Sequence, residues 1–475
     1  MTAALEALAL FHNATREALR FSATTLAVFS LDDLAVDAVF LGRATWRAVT
    51  RQGQPPRADE LVTANPGAFA IIVPAWDEAA VIGAMLRDLT TRLDHPDFTV
   101  FVGVYPNDPA TRAAVDGVDD PRIVAVTCTR PGATTKADCL NHLWRAVLAA
   151  EVARERRFKA VVLHDAEDVV DALELRVFDW AMPGLAMVQL PVIPLVDQSS
   201  RWVSGHYLDE FAEAHLKDIV VRGAVGAAVP SAGVACAIDR ELLGRIADDA
   251  GGLPFDAACL TEDYELGFRI RALGGASALL RIGGSVQGRF ADPVRNVVAT
   301  REHFPADAES AIRQKTRWLL GIALGGWDRL GWRFGIADRL MLLRDRKSIV
   351  AALLTLAAYG AGVLVMIDAV LLRAVVEGRR FAPLVAPDSL LAVTIAFTTA
   401  VLVWRLMLRA AFTGHVHGWR EGLRAVPRVV VGNGINALAA MRATRRYWRV
   451  RRGRAMLTWD KTAHRFTGPG VPGAG

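Results

Sequence analysis

Residues 160–168 read Ala160-Val161-Val162-Leu163-His164-Asp165-Ala166-Glu167-Asp168. Four apolar residues in a row suit a short strand buried on both faces. Three carboxylates follow within four positions. Like charges crowded at the end of a buried strand repel one another. A hard divalent cation, Mg²⁺ or Mn²⁺, would remove that cost and bridge to a diphosphate. If strand geometry persists past Leu163, Asp165 and Glu167 point the same way, which makes them candidate metal ligands. The alternative is a solvated acidic turn.

Similar runs lie on either side: AFAIIV at 68–73, FTVFVGV at 98–104, IVAVT at 123–127 and AMVQLPV at 186–192. Longer helix-compatible stretches, such as 78–93 and 136–154, separate them. The alternation predicts an α/β domain with a mainly parallel sheet. Ligands of such sheets bind beyond the C-terminal ends of the strands, so the residues after each run are the candidates.

After the first run come Pro74, Asp77 and Glu78, where a carboxylate either compensates a helix dipole or holds a base or ribose. After the second comes Asn107-Asp108, an ordinary turn pair that is also placed to hold a ligand. Further on, Thr134-Thr135-Lys136 opens a helix. Lys136 in the first turn opposes the helix dipole, and a phosphate would give that cation a purpose. In Thr261-Glu262-Asp263, Thr261 is a candidate N-cap and the acids are candidate general bases for an acceptor hydroxyl. An Asp at a helix start is expected to stay ionised at pH 7. Gln314, Arg317 and Trp318 are spaced to share one helix face, which suits a sugar ring beside a diphosphate or an interfacial aromatic anchor.

Composition sets the boundaries. The 475 residues are 52% hydrophobic and 22% charged, which excludes a disordered chain. Mean hydropathy is +0.26, as expected of a soluble domain joined to membrane segments. The net charge of +5 is compatible with nucleic acid, anionic lipid or an anionic substrate. Because the basic residues crowd around apolar C-terminal segments, lipid is favoured and no nucleic-acid partner is expected. Cys128, Cys139, Cys236 and Cys259 have no zinc-site spacing and are expected to be reduced and buried. No signal peptide is expected at the N-terminus.

Residues 348–367 contain no charge, and with 369–372 they are long enough to span a bilayer. A second candidate span is 390–404. A third segment, 429–441, holds Asn433 and Asn436 and is expected to be re-entrant or interfacial. Residues 21–41 are apolar but interrupted by Asp32, Asp33 and Asp37, so an interfacial helix and a poor span both stay open. Basic residues flank the spans on the side of the α/β domain, which places that domain and the C-terminal tail in the cytoplasm at an inner membrane, with multiple passes. The expected divisions are 1–66 (membrane-associated helix and linker), 67–330 (α/β domain), 331–441 (transmembrane and interfacial helices) and 442–475 (basic tail).

Between Phe69 and Trp318 these stretches together resemble the family 2 glycosyltransferases of GT-A fold. The resemblance implies that Pro74, Asp77, Glu78, Asp108, Lys136, Asp165, Gln314, Arg317 and Trp318 bind a nucleotide-diphosphate sugar. It places an Asp-x-Asp-like metal motif on Asp165 and Glu167, where Glu167 replaces the usual Asp and leaves Asp168 as an alternative ligand. The catalytic Thr-Glu-Asp falls on Thr261, Glu262 and Asp263, with Asp263 as base. The implied reaction is inverting sugar transfer to a glycan or lipid-linked acceptor, with polymer synthesis and an envelope export partner in prospect. The strings VPAWDEAAVI, YPNDPAT, SAGV, TEDYELGFR and AMLTWDKTAH are similar to an inner-membrane subgroup of that family. Members of the subgroup often carry a further cyclic-di-GMP-binding module. With the sequence ending at Gly475, that control is not expected here. Two rival readings are a catalytically inactive receptor or scaffold on the same fold and a nucleotidyltransferase.

Overall fold

The computed structural model describes residues 2–50, 56–284, 296–375, 382–453 and Phe466. The AMLTWDKTAH string and residues 51–55 of the expected linker lie outside the described residues.

The strands are β1 (Phe69–Pro74), β2 (Phe98–Val104), β3 (Ile123–Thr127), β4 (Ala160–Leu163), β5 (Met187–Gln189), β6 (Val192–Pro194), β7 (Cys236–Asp239), β8 (Ser277–Leu279) and β9 (Thr300–Glu302). Seven form one sheet in the order β3-β2-β1-β4-β7-β5-β8. β7 runs antiparallel to both β4 and β5, and the other pairs are parallel. Alternate side chains of a strand face opposite ways, and both faces are used here. Phe69, Ile71 and Val73 pack on one side with Val100 and Val162. Ala70 and Ile72 pack on the other with Phe101, Val161 and Leu163. Burial on both faces explains why these runs read as continuously apolar.

The single run expected at 186–192 divides into two strands. Pro191 has no N–H for a ladder, and beyond it the chain leaves the main sheet and pairs in parallel with β9. The short strands β7, β8 and β9 were not anticipated.

Two helices, Ile336–Val375 and Leu390–His417, are long and apolar enough to cross a membrane, and only 11% of each apolar window is buried. Leu356, Val363, Met366, Val393 and Leu402 are among their exposed side chains. The reading of these two as buried core helices is thereby excluded. The third C-terminal segment is part of a longer helix, Trp419–Arg451, which packs against the helix Ala308–Leu319 and runs unbroken through position 441. Arg428, one of the basic flanking residues, is fully buried on it, with Nη2 2.6 Å from Asp209 Oδ1 and Nη1 2.9 Å from Glu421 Oε2.

Residues 2–49 are one helix, Thr2–Val49, lying along both candidate spans. The acids that interrupt its apolar stretch are partnered. Asp33 pairs with Arg344 and Arg405 at 2.5 Å each, and Asp37 pairs with Lys217 at 2.7 Å.

Candidate active site

The C-terminal ends of β1 and β4 open onto a cavity of about 390 Å³. Pro74, Glu78, Lys136, Asp165, Glu167, Glu262, Asp263, Gln314, Arg317 and Trp318 all line it. Nearly all the candidates scattered over 240 residues of sequence therefore meet in one place.

Asp77 and Asp108 sit beside the cavity instead. Asp77 has φ +56°, and its N–H donates to Asp108 Oδ2 at 2.6 Å. Asp108 also caps the helix Pro109–Asp116, accepting from the Thr111 N–H at 3.1 Å. Together they join the turns after two adjacent strands. The helix after β1 starts only at Ile82, so Asp77 and Glu78 lie ahead of it and not in its first turn. Asn107 holds the loop before Lys136, exchanging two hydrogen bonds with the Gly132 backbone.

Lys136 is the first residue of the helix Lys136–Arg154, which Thr135 caps by accepting from the Asp138 N–H. Its Nζ lies 2.5 Å from Asp165 Oδ1. Burial alone would lower the ammonium's pKa, but Asp165, Glu262 and Asp263 around it prevail and raise it. It remains a cation facing three acids.

The clustered carboxylates after β4 are relieved by two cations. Lys136 takes Asp165, and His164 takes Asp168. His164 is fully buried, with Nδ1 2.7 Å from Asp168 Oδ2 and Nε2 2.6 Å from Glu174 Oε1. Burial opposes its charge, but the two carboxylates push its pKa up to about 10. Asp168 Oδ2 also accepts the Asp165 N–H at 3.1 Å. Asp168 is thus held in the core beside β4, and Glu167 is the one that lines the cavity. Among the described residues no group of three or more His, Cys, Asp or Glu side chains is arranged to hold a metal by itself. Two carboxylates on one cavity wall fit Mg²⁺ or Mn²⁺ when a substrate supplies the remaining oxygens.

Thr261 occupies the N-cap position of the helix Glu262–Ala272, but its hydroxyl makes no capping bond. Burial pushes the Glu262 carboxyl up to about 7, with Asp263 adding to it and Lys136 opposing. Burial also raises Asp263, against Lys136 and the Tyr264 N–H that it accepts at 2.7 Å. Burial at this position therefore outweighs the favourable helix N-terminus and moves Asp263 above the usual carboxylate range.

One cavity wall went unnoticed in the sequence. Phe211, His215 and Phe304 line it, as does Glu210, which pairs with Lys315. None of them lies in a recognisable motif.

Residues 66–321 match the profile of glycosyltransferase-like family 2, and the chain belongs to that family. It is 35% identical, over 96% of its length, to bacteriophage adsorption protein B of Escherichia coli K12 and to bacteriophage N4 adsorption protein B of E. coli O157:H7. These relatives represent the subgroup expected from the sequence strings. The chain spans 63% of their length. Among solved structures it is similar to the Pyrobaculum calidifontis mannosyltransferase PcManGT in complex with GDP-Man and Mn²⁺, at 17% identity and TM-score 0.45, covering 86% of this chain and 99% of that one. It is also similar to Mycobacterium tuberculosis glucosyl-3-phosphoglycerate synthase, at 18% identity and TM-score 0.31, covering 51% of this chain and 80% of that one.

Proposed function

We propose that this chain is a membrane-bound inverting glycosyltransferase using a nucleotide-diphosphate sugar. The observation that carries the reading is the meeting of Lys136, Asp165, Glu262, Asp263 and Arg317 in one cavity at the strand ends. The turns holding Asp77, Glu78 and Asp108 would take the nucleoside. Lys136 and Arg317 would face the diphosphate, whose negative charge grows as the sugar departs. Asp263 would accept the proton of the acceptor hydroxyl. The hydroxyl oxygen bonds to the anomeric carbon from one face as the carbon–oxygen bond to the diphosphate breaks on the other. Asp165 and Glu167 would hold a divalent ion that, when bound, neutralises the diphosphate oxygens.

The same reading places the catalytic domain on the cytoplasmic side of a bacterial inner membrane, next to lipids that the exposed apolar helices would contact. The Gln314-Arg317-Trp318 face is consistent with a processive glycan synthase, and two apolar spans would need a partner pore to export a polymer. A donor screen on the purified full chain with Mg²⁺ or Mn²⁺ tests the proposal. Release of nucleoside diphosphate is expected. Release of pyrophosphate would indicate a nucleotidyltransferase, and no release from any donor would indicate a scaffold.

A further inference from the structure

The wall missed in the sequence lies away from the donor side of the cavity. β5 stands three places from β1 in the sheet, about 14 Å at ordinary strand spacing. From β5 the chain passes directly into β6, whose Val192 lines the cavity, as does Glu302 of its partner β9. Phe211 and Phe304 meet there with ring centroids 4.7 Å apart, and Trp318 lies 6.3 Å from Phe211. Tyr207 backs Phe304 in a stack at 4.6 Å. Three separate segments thus supply one aromatic surface.

His215 stands beside it, its ring 5.4 Å from that of Phe211. The Val192 N–H donates to His215 Nδ1 at 2.9 Å. That bond fixes the tautomer of the neutral ring, with its proton on Nε2. Burial pushes the imidazole down to about 4, so it stays neutral at physiological pH. The wall therefore offers ring faces and a neutral N–H donor, edged by Glu302 and by the Glu210–Lys315 pair.

We infer that this wall is the acceptor subsite and that the acceptor is a neutral saccharide. A pyranose presents an apolar C–H face, which suits Phe211 and Phe304, and hydroxyls at its edge, one of which would accept from His215 Nε2–H. A phosphate-bearing acceptor would meet an uncharged imidazole and a Glu210 whose cation, Lys315, is already taken up in an ion pair. The inference rests on the transferase reading above.

The test uses the detergent-solubilised full chain with Mn²⁺ and a donor panel. Nucleoside diphosphate release is measured in water alone, then with lactose, p-nitrophenyl β-glucoside or farnesyl phosphate as acceptor. The saccharides should be glycosylated and farnesyl phosphate should not. Phe304→Leu should raise the acceptor KM at least tenfold, several times more than any change in the donor KM. His215→Phe, which keeps a ring and removes the N–H, should do the same. Preference for farnesyl phosphate, or an unchanged acceptor KM in both variants, overturns the inference. If no donor is consumed, the transferase reading itself fails. The subsite is then read by saturation-transfer NMR with lactose, where a signal on wild type that Phe304→Leu loses supports it and no signal on wild type overturns it.

Discussion

A Cβ built on Gly233 would stand 2.6 Å from Asp263 Oδ2. Gly233 also has φ +78°, a conformation that L side chains rarely adopt. Two independent constraints therefore require glycine in the SAGV string, and both protect the space of the proposed base. Gly233→Ala should strain the loop and displace the Asp263 carboxylate. A misplacement of about 1 Å can cost on the order of 10²-fold in rate, so turnover should fall by about that factor while donor affinity holds. Turnover within twofold of wild type would remove Asp263 from the chemistry.

How far the sequence could be read depended on where each residue sits. β1, β2 and β4 were legible because both faces are buried and, Thr99 apart, they carry no polar side chain. β7 and β8 were not, since each is short and includes a polar residue, Asp239 or Ser277. The motif residues of the cavity were legible because acids and prolines stand out at strand ends. Phe211, His215 and Phe304 look like core residues in any alignment-free reading, and only the fold brings them together. The setting of Asp168 was hidden for a related reason: its cationic partner, His164, is held on its other ring nitrogen by Glu174, ten residues further on across a turn.

The acid pair at the start of the Glu262–Ala272 helix sets a pH dependence. Both carboxyls are raised by burial, Glu262 to about 7. A base works only when deprotonated, and Asp263 is raised, so kcat should begin to fall with decreasing pH while still above the ordinary carboxylate range. A stability effect accompanies it. The unfolded chain ionises Glu262 near pH 4.5, whereas the folded chain holds the proton to about 7. Stability attached to this group is complete below the lower value and lost as pH rises through the upper one. Glu262→Gln should therefore melt higher than wild type at pH 8, by on the order of 3 kcal/mol at most, and lose that advantage at pH 4. Melting curves without added metal check the stability sign, and kcat–pH profiles at saturating Mn²⁺ check the catalytic one.

Asp168 separates a structural carboxylate from the proposed metal ligands. It is buried against His164, with no face on the cavity. Removing one partner of a buried pair strands the other and costs about 3–5 kcal/mol. Asp168→Asn should accordingly lower Tm strongly, while the folded fraction keeps its Mn²⁺ dependence. An unchanged Tm with lost Mn²⁺ dependence would make Asp168 a ligand after all.

Lys136 and Asp165 make the opposite case. Their 2.5 Å contact holds a carboxylate that a divalent ion would have to win from the ammonium. Asp165→Asn should abolish Mn²⁺-stimulated donor binding without loss of fold, and EDTA should silence the wild type. Lys136→Met should bind Mn²⁺ more tightly in the absence of donor, because the competing cation is gone, yet release nucleoside diphosphate more slowly. Full wild-type turnover in EDTA contradicts the metal assignment.

The ion pairs along the N-terminal helix make a topological prediction. At one end His12 Nδ1 lies 2.9 Å from Asp368 Oδ2, and His12 Nε2 is 2.9 Å from the Ala382 carbonyl in the segment between the two apolar helices. At the other end Asp32 and Asp33 pair with Arg344, and Asp33 with Arg405, at the opposite ends of those same helices. Residues 12 to 32 of one continuous helix rise about 30 Å, the thickness of a hydrocarbon core. The acids that argued against a span are thus at its basic, domain-side end, where their partners neutralise them. Arg16, Glu17 and Arg20 sit within two turns or so of the far end, close enough for long side chains to reach the headgroups. The helix should therefore cross the membrane as a third pass, with its residue-12 end on the side opposite the catalytic domain. A protease-accessible tag before Thr2 should be cleaved from outside in intact cells, as should one inserted at Ala386, while one after Gly453 should be protected. Protection of the Thr2 tag together with cleavage at Ala386 would mean that the helix lies along the interface, and the ion pairs of Asp32 and Asp33 would then be surface contacts worth under about 1 kcal/mol each.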